Sequence, residues 1–346
     1  MKNICFAILT FFMLSCNKKH EVVRSFCYWK TDLNFNSVDD SLIKDLKVKH
    51  MYIRFFDVGW STYENEPVPI ADIQSINLDK SNLEVTPSIF ITNEVFLKTN
   101  KIQLDTLAIR IIKRIDQIAE GKRNNRAKEI HSKINFKEIL IDCDWSPKSK
   151  ENFFYLLNQI KKNSPQLKIA ATIRLWQYKY ATKAGTPPVD KGLLMCYNIT
   201  KPNDIKTQNS IGTNKELAQY ITHNKYKLKL DIALPLYSWA VVFRGNQYKG
   251  IISDYDKLMN DSIRLKQISS GNYLLKQDIL VGKTYLRNGD LIRIEKISND
   301  ELDKMISIVK RKIEIDNQTK ITFFSFDKKH INNYGIQNLS EYYARF

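Results

Sequence analysis

The chain has 346 residues, of which 43% are hydrophobic and 11% aromatic, so it can bury one large core or two medium ones. Its 11 glycines and 9 prolines exclude a collagen-like or low-complexity chain. The formal net charge is +17, but the lysines are spread along the sequence and accompany no nucleic-acid-binding module, so we expect no nucleic-acid partner.

The first residues have the pattern of a secretory signal: a basic start, an apolar run over 4–14 and a small residue before Cys16. The run is too short to span a bilayer as a finished anchor. Met13-Leu14-Ser15-Cys16 resembles the bacterial lipobox, whose cysteine carries the lipid as the first mature residue. We predict a signal peptide over 1–15, lipidation of Cys16 and a tether over 16–24. The alternative is a plain signal peptide in which Cys16 has no special role.

The residues directly after Cys16 indicate which side of the membrane the protein faces. They are basic overall rather than acidic over 17–21. In some bacteria an acidic stretch at this place resembles a surface-export signal. We therefore expect an outer-membrane lipoprotein of the bacterial cell envelope that faces the periplasm rather than the surface.

Eight short runs rich in β-branched and aromatic residues alternate with helical patterns in the body of the chain. Many runs are nearly continuously apolar, which is typical of strands buried on both faces. The predicted strands cover 25–30, 50–56, 84–91, 138–144, 167–175, 192–198, 229–237 and 320–326, and the clearest helices 105–119, 147–162 and 300–315. This order predicts an α/β fold, a (β/α)8 TIM barrel over 25–346, with a doubly wound open sheet as the alternative.

One region interrupts this alternation. Short strand-like pieces at 272–275, 283–286 and 290–295 lie between the seventh strand and the last long helix, which a capping box at 298–301 opens. We predict a small insertion over 245–297 between strand 7 and helix 7, rather than a free domain.

The fourth predicted strand carries two carboxylates at the end where barrel sites lie. Side chains alternate along a strand, so Asp142 and Asp144 share one face with Leu140. Two such groups inside a barrel cost free energy unless they are hydrogen-bonded or used, and crowding of like charges raises one pKa. Asp142 and Asp144 are the candidate catalytic residues. The alternatives are a solvated structural pair or a metal site.

Three segments together resemble the chitinase family of glycoside hydrolases, related to family 18. Asp142-Cys143-Asp144-Trp145 is similar to the end of its fourth-strand motif, Asp-x-x-Asp-x-Asp-x-Glu. Met195-Cys196-Tyr197-Asn198 resembles the sixth-strand Met-x-Tyr-Asp, and Leu234-Pro235-Leu236-Tyr237 the seventh-strand Pro-x-Tyr. The order and spacing of the three agree with the family over roughly 138–326. An insertion after the seventh strand also occurs in many chitinases.

The chain also departs from the pattern of that family. Asp142 and Asp144 match its second and third Asp, whereas Ile139 stands at the first. Ser146 stands where the family has its catalytic Glu, the acid that protonates the leaving group, and Asn198 replaces the sixth-strand Asp. A serine hydroxyl cannot supply that proton at neutral pH, so we expect substrate-assisted cleavage to be lost.

Ser146 also has a structural interpretation, as N-cap of the following helix with Pro147 at its first position. Similar barrels, with a fourth-strand Asp-x-Asp and no Glu, occur in bacterial lipoproteins related to glycoside hydrolases. The segment over 233–240 resembles their seventh strand. The resemblance implies a glycan-recognising barrel in which chitinase-type catalysis is lost.

Aromatic and polar residues occur at several predicted strand ends. Aromatic faces flanked by hydrogen-bonding groups suit sugar rings, whose faces are apolar and whose rims are hydroxyls. The candidate ligand-binding residues are Tyr28, Trp29, Arg54, Asp57, Arg174, Trp176, Tyr197, Asn198, Tyr237, Trp239 and Asp327. The alternatives are core packing for the aromatic residues and binding of a carboxylate or phosphate for the two arginines.

Other chemistries have less support in the sequence. The five histidines form no metal-like spacing, and no glycine-rich phosphate loop or nucleophile elbow is present, so we expect no metal and no cofactor. Cys27, Cys143 and Cys196 remain after signal removal, and an odd number leaves at least one thiol unpaired.

Three functions remain open at this point. The first is a glycan-recognising barrel with carbohydrate as its partner and a lipid anchor in the membrane. The second is an active glycosidase that uses Asp144 with a non-standard carboxylate, Asp57 or Asp327. The third is a structural or assembly lipoprotein without catalysis.

Lipidation of Cys16 is the first testable prediction. Mass spectrometry of the mature amino terminus should find acyl chains on Cys16, and more than one chain, because a single chain binds a bilayer only marginally. Cys16→Ser should abolish the mass increment. An unmodified mature terminus at another residue would contradict the prediction.

Overall fold

The computed structural model describes residues 21–78, 82–121, 133–222 and 225–346. The predicted signal peptide, Cys16 and most of the predicted tether lie outside these residues. Within the described ranges, no helix combines the length and the apolar character needed to cross a membrane.

Eight parallel strands form a closed barrel, and we number them β1 to β8 in chain order. β1 pairs with β8 on one side and with β2 on the other, with Val23 opposite Lys320 and Ser25 opposite His50. The predicted (β/α)8 barrel is therefore confirmed and the open-sheet alternative is wrong. The strands are β1 (Val23–Tyr28), β2 (His50–Ser61), β3 (Glu84–Ile91), β4 (Glu138–Asp142), β5 (Lys168–Arg174), β6 (Lys191–Met195), β7 (Leu230–Pro235) and β8 (Lys320–Phe324).

Most helices surround the barrel and the longer ones bury an apolar stripe, whereas Asp256–Met259 packs in the insertion. In Lys101–Ala119, Leu104, Leu107, Ile111 and Ile115 recur at helical spacing and are all buried. The other helices are Ser37–Asp45, Asn93–Lys98, Lys150–Asn163, Leu175–Lys179, Ala181–Ala184, Asn214–Tyr220, Asp256–Met259, Asn299–Lys312, Lys328–Tyr334 and Ile336–Ala344.

β2 is longer than its sequence pattern predicts, because a partner strand extends it. Glu66–Asp72 runs antiparallel to the second half of β2 and carries the pairing out to Ser61. Arg54 and Asp57 therefore lie within the strand, next to register shifts, and not at its end. A further short parallel pair joins Asp32–Asn34 to Ser75–Asn77.

The insertion is an antiparallel sheet with a small core of its own. It begins at Ser238, soon after β7, rather than at 245, so residues that the sequence pattern assigns to the barrel form one of its central strands. Ala240, Leu258, Leu275 and Ile292 are completely buried in its core. Its strands are Ser238–Arg244, Gln247–Ile252, Leu265–Ser269, Asn272–Leu275 and Leu291–Lys296, with a separate hairpin of Ile279–Val281 and Thr284–Leu286.

The amino end of the barrel interior contains an ionic network. Asp231 accepts hydrogen bonds from the Tyr52 hydroxyl at 2.9 Å and the Lys320 backbone N–H at 2.6 Å, and its carboxylate lies 2.6 Å from Lys191 Nζ. Lys320 Nζ in turn lies 2.6 Å from a Glu138 carboxylate oxygen. Charges inside a barrel are tolerated only when they are paired and hydrogen-bonded, and these are.

His50 extends this network toward β1 and β3. Its ring nitrogens lie 2.8 Å from the Ser25 hydroxyl and 2.8 Å from the Thr86 hydroxyl. Burial lowers its pKa well below the usual value, and the neighbouring Lys320 and Lys191 charges lower it further. The imidazole is therefore neutral and serves as a hydrogen-bonding spacer between the strands.

Replacing Asp231 by Ala tests the importance of this network. The variant leaves Lys191 and the Tyr52 hydroxyl without their acceptor inside the barrel, so the free energy of unfolding should fall by about 3–5 kcal/mol. Urea denaturation measures it. Glu94→Ala removes the partner of Lys98 in an exposed pair and should cost less than about 1 kcal/mol. Equal costs for the two variants would contradict the prediction.

Candidate functional site

Asp142 ends β4 with its side chain inside the carboxyl end of the barrel. The carboxylate is 6% exposed and accepts a hydrogen bond of 2.6 Å from the Thr172 hydroxyl on β5. Burial raises its pKa to about 6, the hydrogen bond from Thr172 opposes this, and the nearby charge of Asp144 adds to it. Asp142 therefore holds a proton more readily than an ordinary aspartate.

Asp144 follows β4 and forms an ion pair with Arg174, the last residue of β5. The guanidinium donates from Nη2 to Asp144 Oδ2 at 2.6 Å and from Nε to Oδ1. The Asp144 side chain is 46% exposed, so this planar pair borders solvent at the barrel mouth. Each charge is neutralised by a partner of matching geometry, and the remaining oxygen lone pairs stay open to a ligand.

An aromatic wall stands beside this pair. The Tyr197 ring stacks on Phe324 with centroids 5.1 Å apart and meets the Tyr237 ring edge-on at 5.9 Å. The Tyr237 ring also contacts Trp239 at 5.1 Å, and its hydroxyl donates to Asn198 Oδ1 at 2.5 Å. Asn198 holds a φ of +53°, a backbone conformation that asparagine tolerates better than most residues. Tyr197 and Tyr237 thus reach the mouth from β6 and β7.

The ion pair and the wall border one cavity of about 550 Å³. A cavity of this size suits a small-molecule or oligosaccharide segment. The sequence-predicted residues that the structure brings together along it are Asp144, Arg174, Trp176, Tyr197, Asn198 and Trp239.

Two of the sequence-predicted ligand-binding residues have other roles. The Tyr28 ring meets Phe35 edge-on at 6.0 Å and its hydroxyl donates to the Asp32 carbonyl, so it does not line the cavity. Asp327 is the N-cap of Lys328–Tyr334 and pairs with Lys30 at 2.6 Å. Burial raises the pKa of Asp327, but the Lys30 ammonium, His330 and the Lys329 N–H together outweigh burial and the net shift is downward.

Arg54, Asp57 and Trp29 form a separate group beside β1. Arg54 donates to both carboxylate oxygens of Asp57, at 2.6 Å for the Nε bond, and to the Trp29 carbonyl at 3.4 Å. The Trp29 ring packs on Phe324 at 5.5 Å. Asp57 is 5% exposed and satisfied by its arginine, so this group supports the mouth and does not line the cavity.

Ser146 stands at the start of the turn that precedes Lys150–Asn163. Its N–H donates to the Ser149 hydroxyl oxygen at 2.9 Å, and the two hydroxyls are 3.2 Å apart. The helix begins three residues later than the sequence pattern predicts, and Ser149 rather than Ser146 is its N-cap residue. The expected capping role of Ser146 is therefore wrong, because residues 147–149 form a turn before the helix.

Glu295, in the last strand of the insertion, is a site residue that sequence reasoning misses. Its buried carboxylate accepts from the Trp239 indole N–H at 2.7 Å, the Ser210 N–H at 2.9 Å and Arg293 Nε at 2.7 Å. Arg293 also donates to the carbonyls of Pro202 and Asp204, both at 3.0 Å. Together they fix Trp239 and the loop after β6. No sequence signal links Glu295 to residues so distant in the chain.

The described residues form no cluster suited to a metal cofactor. Among the described residues, no group of three or more His, Cys, Asp or Glu side chains is placed to hold a metal ion. Cys27, Cys143 and Cys196 are all buried with free thiols.

Comparison with known proteins relates this chain to others at the level of the fold. No protein-family model matches the chain, and no curated protein sequence matches it. The spore cortex-lytic enzyme SleL of Bacillus megaterium QM B1551 is similar over 95% of this chain and 75% of its own, with a TM-score of 0.54 and 14% identity. SleL of Bacillus cereus is similar over 94% of this chain and 75% of its own, with a TM-score of 0.50 and 14% identity. The likeness shows a shared fold, a TIM barrel.

The raised pKa of Asp142 predicts how the stability of the protein depends on pH. The pKa of Asp142 in the folded protein, about 6, lies above the ordinary 3.8. Its contribution to the free energy of unfolding is therefore complete below about pH 4 and is lost as pH rises through 6. The difference corresponds to roughly 3 kcal/mol. Asp142→Asn cannot ionise and still accepts the Thr172 bond, so its free energy of unfolding relative to wild type should rise by up to about 3 kcal/mol between pH 4 and pH 8.

Urea denaturation across that pH range measures the effect. Asp254→Asn, at an exposed position, serves as the control and should run parallel to wild type. If the free energies of unfolding of Asp142→Asn and wild type change equally with pH, the pKa of Asp142 is not raised.

Proposed function

We propose that the protein is a membrane-anchored lipoprotein whose barrel binds a glycan at its mouth and lacks chitinase-type cleavage. The observation that carries this proposal is the cavity of about 550 Å³, in which Trp176, Tyr197 and Trp239 stand beside the Asp144–Arg174 pair. Flat aromatic faces next to fixed donors and acceptors are the chemistry that sugars require.

The nature of the ligand is supported by the comparison. Both similar structures are named as enzymes that lyse the spore cortex, which favours a polymer of the cell envelope as the ligand. The anchor at Cys16 would hold the barrel at an envelope membrane, on the periplasmic side of the outer membrane.

Loss of cleavage follows from the missing acid. Glycoside hydrolysis needs a carboxylic acid that reaches the leaving-group oxygen, and general acid catalysis contributes about 10²–10⁴-fold. Ser146 replaces that acid in the motif, and its hydroxyl lies beside Ser149. Asp142 has a raised pKa but is 6% exposed, and Glu295 is 1% exposed and fully hydrogen-bonded.

The two alternatives have less support. An active glycosidase would need a second carboxylate beside Asp144, but Asp57 is paired with Arg54 and Asp327 with Lys30. A purely structural lipoprotein would need no open mouth, whereas the cavity beside Asp144 is open and lined with aromatic residues.

A glycan array tests the binding. Every described strand and helix begins at or after Val23, so a chain of residues 17–346 keeps the whole barrel. This chain should bind envelope glycans. Asp144→Ala should weaken binding by about 10- to 100-fold, the value of one or two charge-assisted hydrogen bonds. Glu314→Ala, an exposed carboxylate before β8, is the matched control and should bind like wild type.

Two outcomes would contradict the proposal. Absence of any glycan hit, with correct folding shown by circular dichroism, would contradict glycan recognition. Cleavage of a chromogenic chitobioside at a rate typical of chitinases would contradict the loss of catalysis. Ser146→Glu adds a gain-of-function arm, and weak cleavage by this variant would show that the missing acid is what limits turnover.

A further inference from the structure

The face opposite the mouth carries exposed lysines. We call it the amino-end face, and it consists of the residues that precede the barrel strands, including 46–49, 133–137, 164–168, 225–229 and 313–319. It is separated from the glycan cavity by the length of the barrel, so a partner can cover it and leave the mouth open.

Several lysines of this amino-end face have no carboxylate partner. Seven of them are exposed, and within the described part of the chain none forms an ion pair with a carboxylate: Lys47, Lys49, Lys133, Lys137, Lys168, Lys225 and Lys227. Two carboxylates of the same face are already neutralised, Asp316 by Lys229 at 2.9 Å and Asp190 by Lys161 at 3.0 Å.

A basic concavity lies on the amino-end face. A cavity of about 410 Å³ is lined by four lysines and two carboxylates: Lys191, Lys225, Lys227, Lys229, Glu314 and Asp316. Lys191 pairs with Asp231 and Lys229 with Asp316, whereas Lys225 and Lys227 are exposed without a carboxylate partner among the described residues. Their two ammonium groups have the charge that attracts a phosphate-bearing head group.

The chain leaves the barrel at this same end. β1 begins at Val23, opposite Lys320, and Cys16 lies seven residues earlier in the sequence. Seven extended residues reach at most about 25 Å. Two of these residues, Lys18 and Lys19, are themselves basic. A lipid on Cys16 would therefore hold the amino-end face within reach of the bilayer.

We propose that the amino-end face docks on an anionic phospholipid surface, with the glycan-binding mouth directed away from the membrane. The proposal rests on the proposed anchor for proximity only, since the unpaired lysines attract the surface with or without a lipid. Each lysine near an anionic membrane contributes a factor of about five in affinity.

Vesicle co-sedimentation of the 17–346 chain tests this docking without the anchor. The chain should bind vesicles of equimolar phosphatidylcholine and phosphatidylglycerol, fail to bind phosphatidylcholine alone, and dissociate as salt is raised. The double variant Lys225→Glu/Lys227→Glu should lower affinity by at least about 25-fold. The matched variant Lys276→Glu/Lys283→Glu changes the net charge equally at exposed positions of the insertion and should bind within about twofold of wild type.

The outcomes separate docking from the proposed function. Equal binding to both kinds of vesicle, or equal losses in the two double variants, would overturn docking by the amino-end face. Because 17–346 lacks Cys16, failure of lipidation leaves this result untouched. Both double variants should retain glycan binding, and loss of it in the Lys225/Lys227 variant alone would also overturn the separation of the two faces.

Discussion

Closure of the sheet between β1 and β2 determines how the rest of the molecule is filled. With both strands paired on each side, alternate residues of all eight strands must point into a space that solvent does not reach. At the amino end Asp231 and Lys320 fill that space with a satisfied ionic network. At the carboxyl end Asp142 and Tyr197 fill it beneath an open mouth. The buried and the accessible polar groups are thus consequences of one topology.

The sequence predicts the existence of every barrel strand, because runs buried on both faces are continuously apolar and easily recognised. Glu84–Ile91 matches its predicted bounds at both ends. Strand ends are less predictable where they depend on distant pairing. β2 extends to Ser61 because Glu66–Asp72 folds back on it, and β4 ends at Asp142, before Asp144 pairs with Arg174. The residue pattern at the end of each strand contains no information about these distant partners.

The same limit applies to the site. The motif order brings Asp144, Tyr197 and Tyr237 to one end of the barrel, since parallel strands place their carboxyl ends together. Side-chain direction at a strand end is harder to predict, and Tyr28 illustrates this, because its ring turns to Phe35. The role of Glu295 arises from tertiary structure alone. Glu295 couples the insertion to the mouth, so we expect loss of structure in one to disrupt the other.

The three free thiols determine how the folded protein reacts with thiol reagents. Cys27 lies in β1, Cys143 follows β4 and Cys196 follows β6, and burial raises the pKa of all three. Only a thiolate reacts rapidly with electrophiles or disulfides, so the folded barrel is inert to them. Each cysteine becomes reactive when its own part of the wall opens. The chain therefore contains three internal reporters, at separate places around the barrel, that distinguish local breathing from complete unfolding.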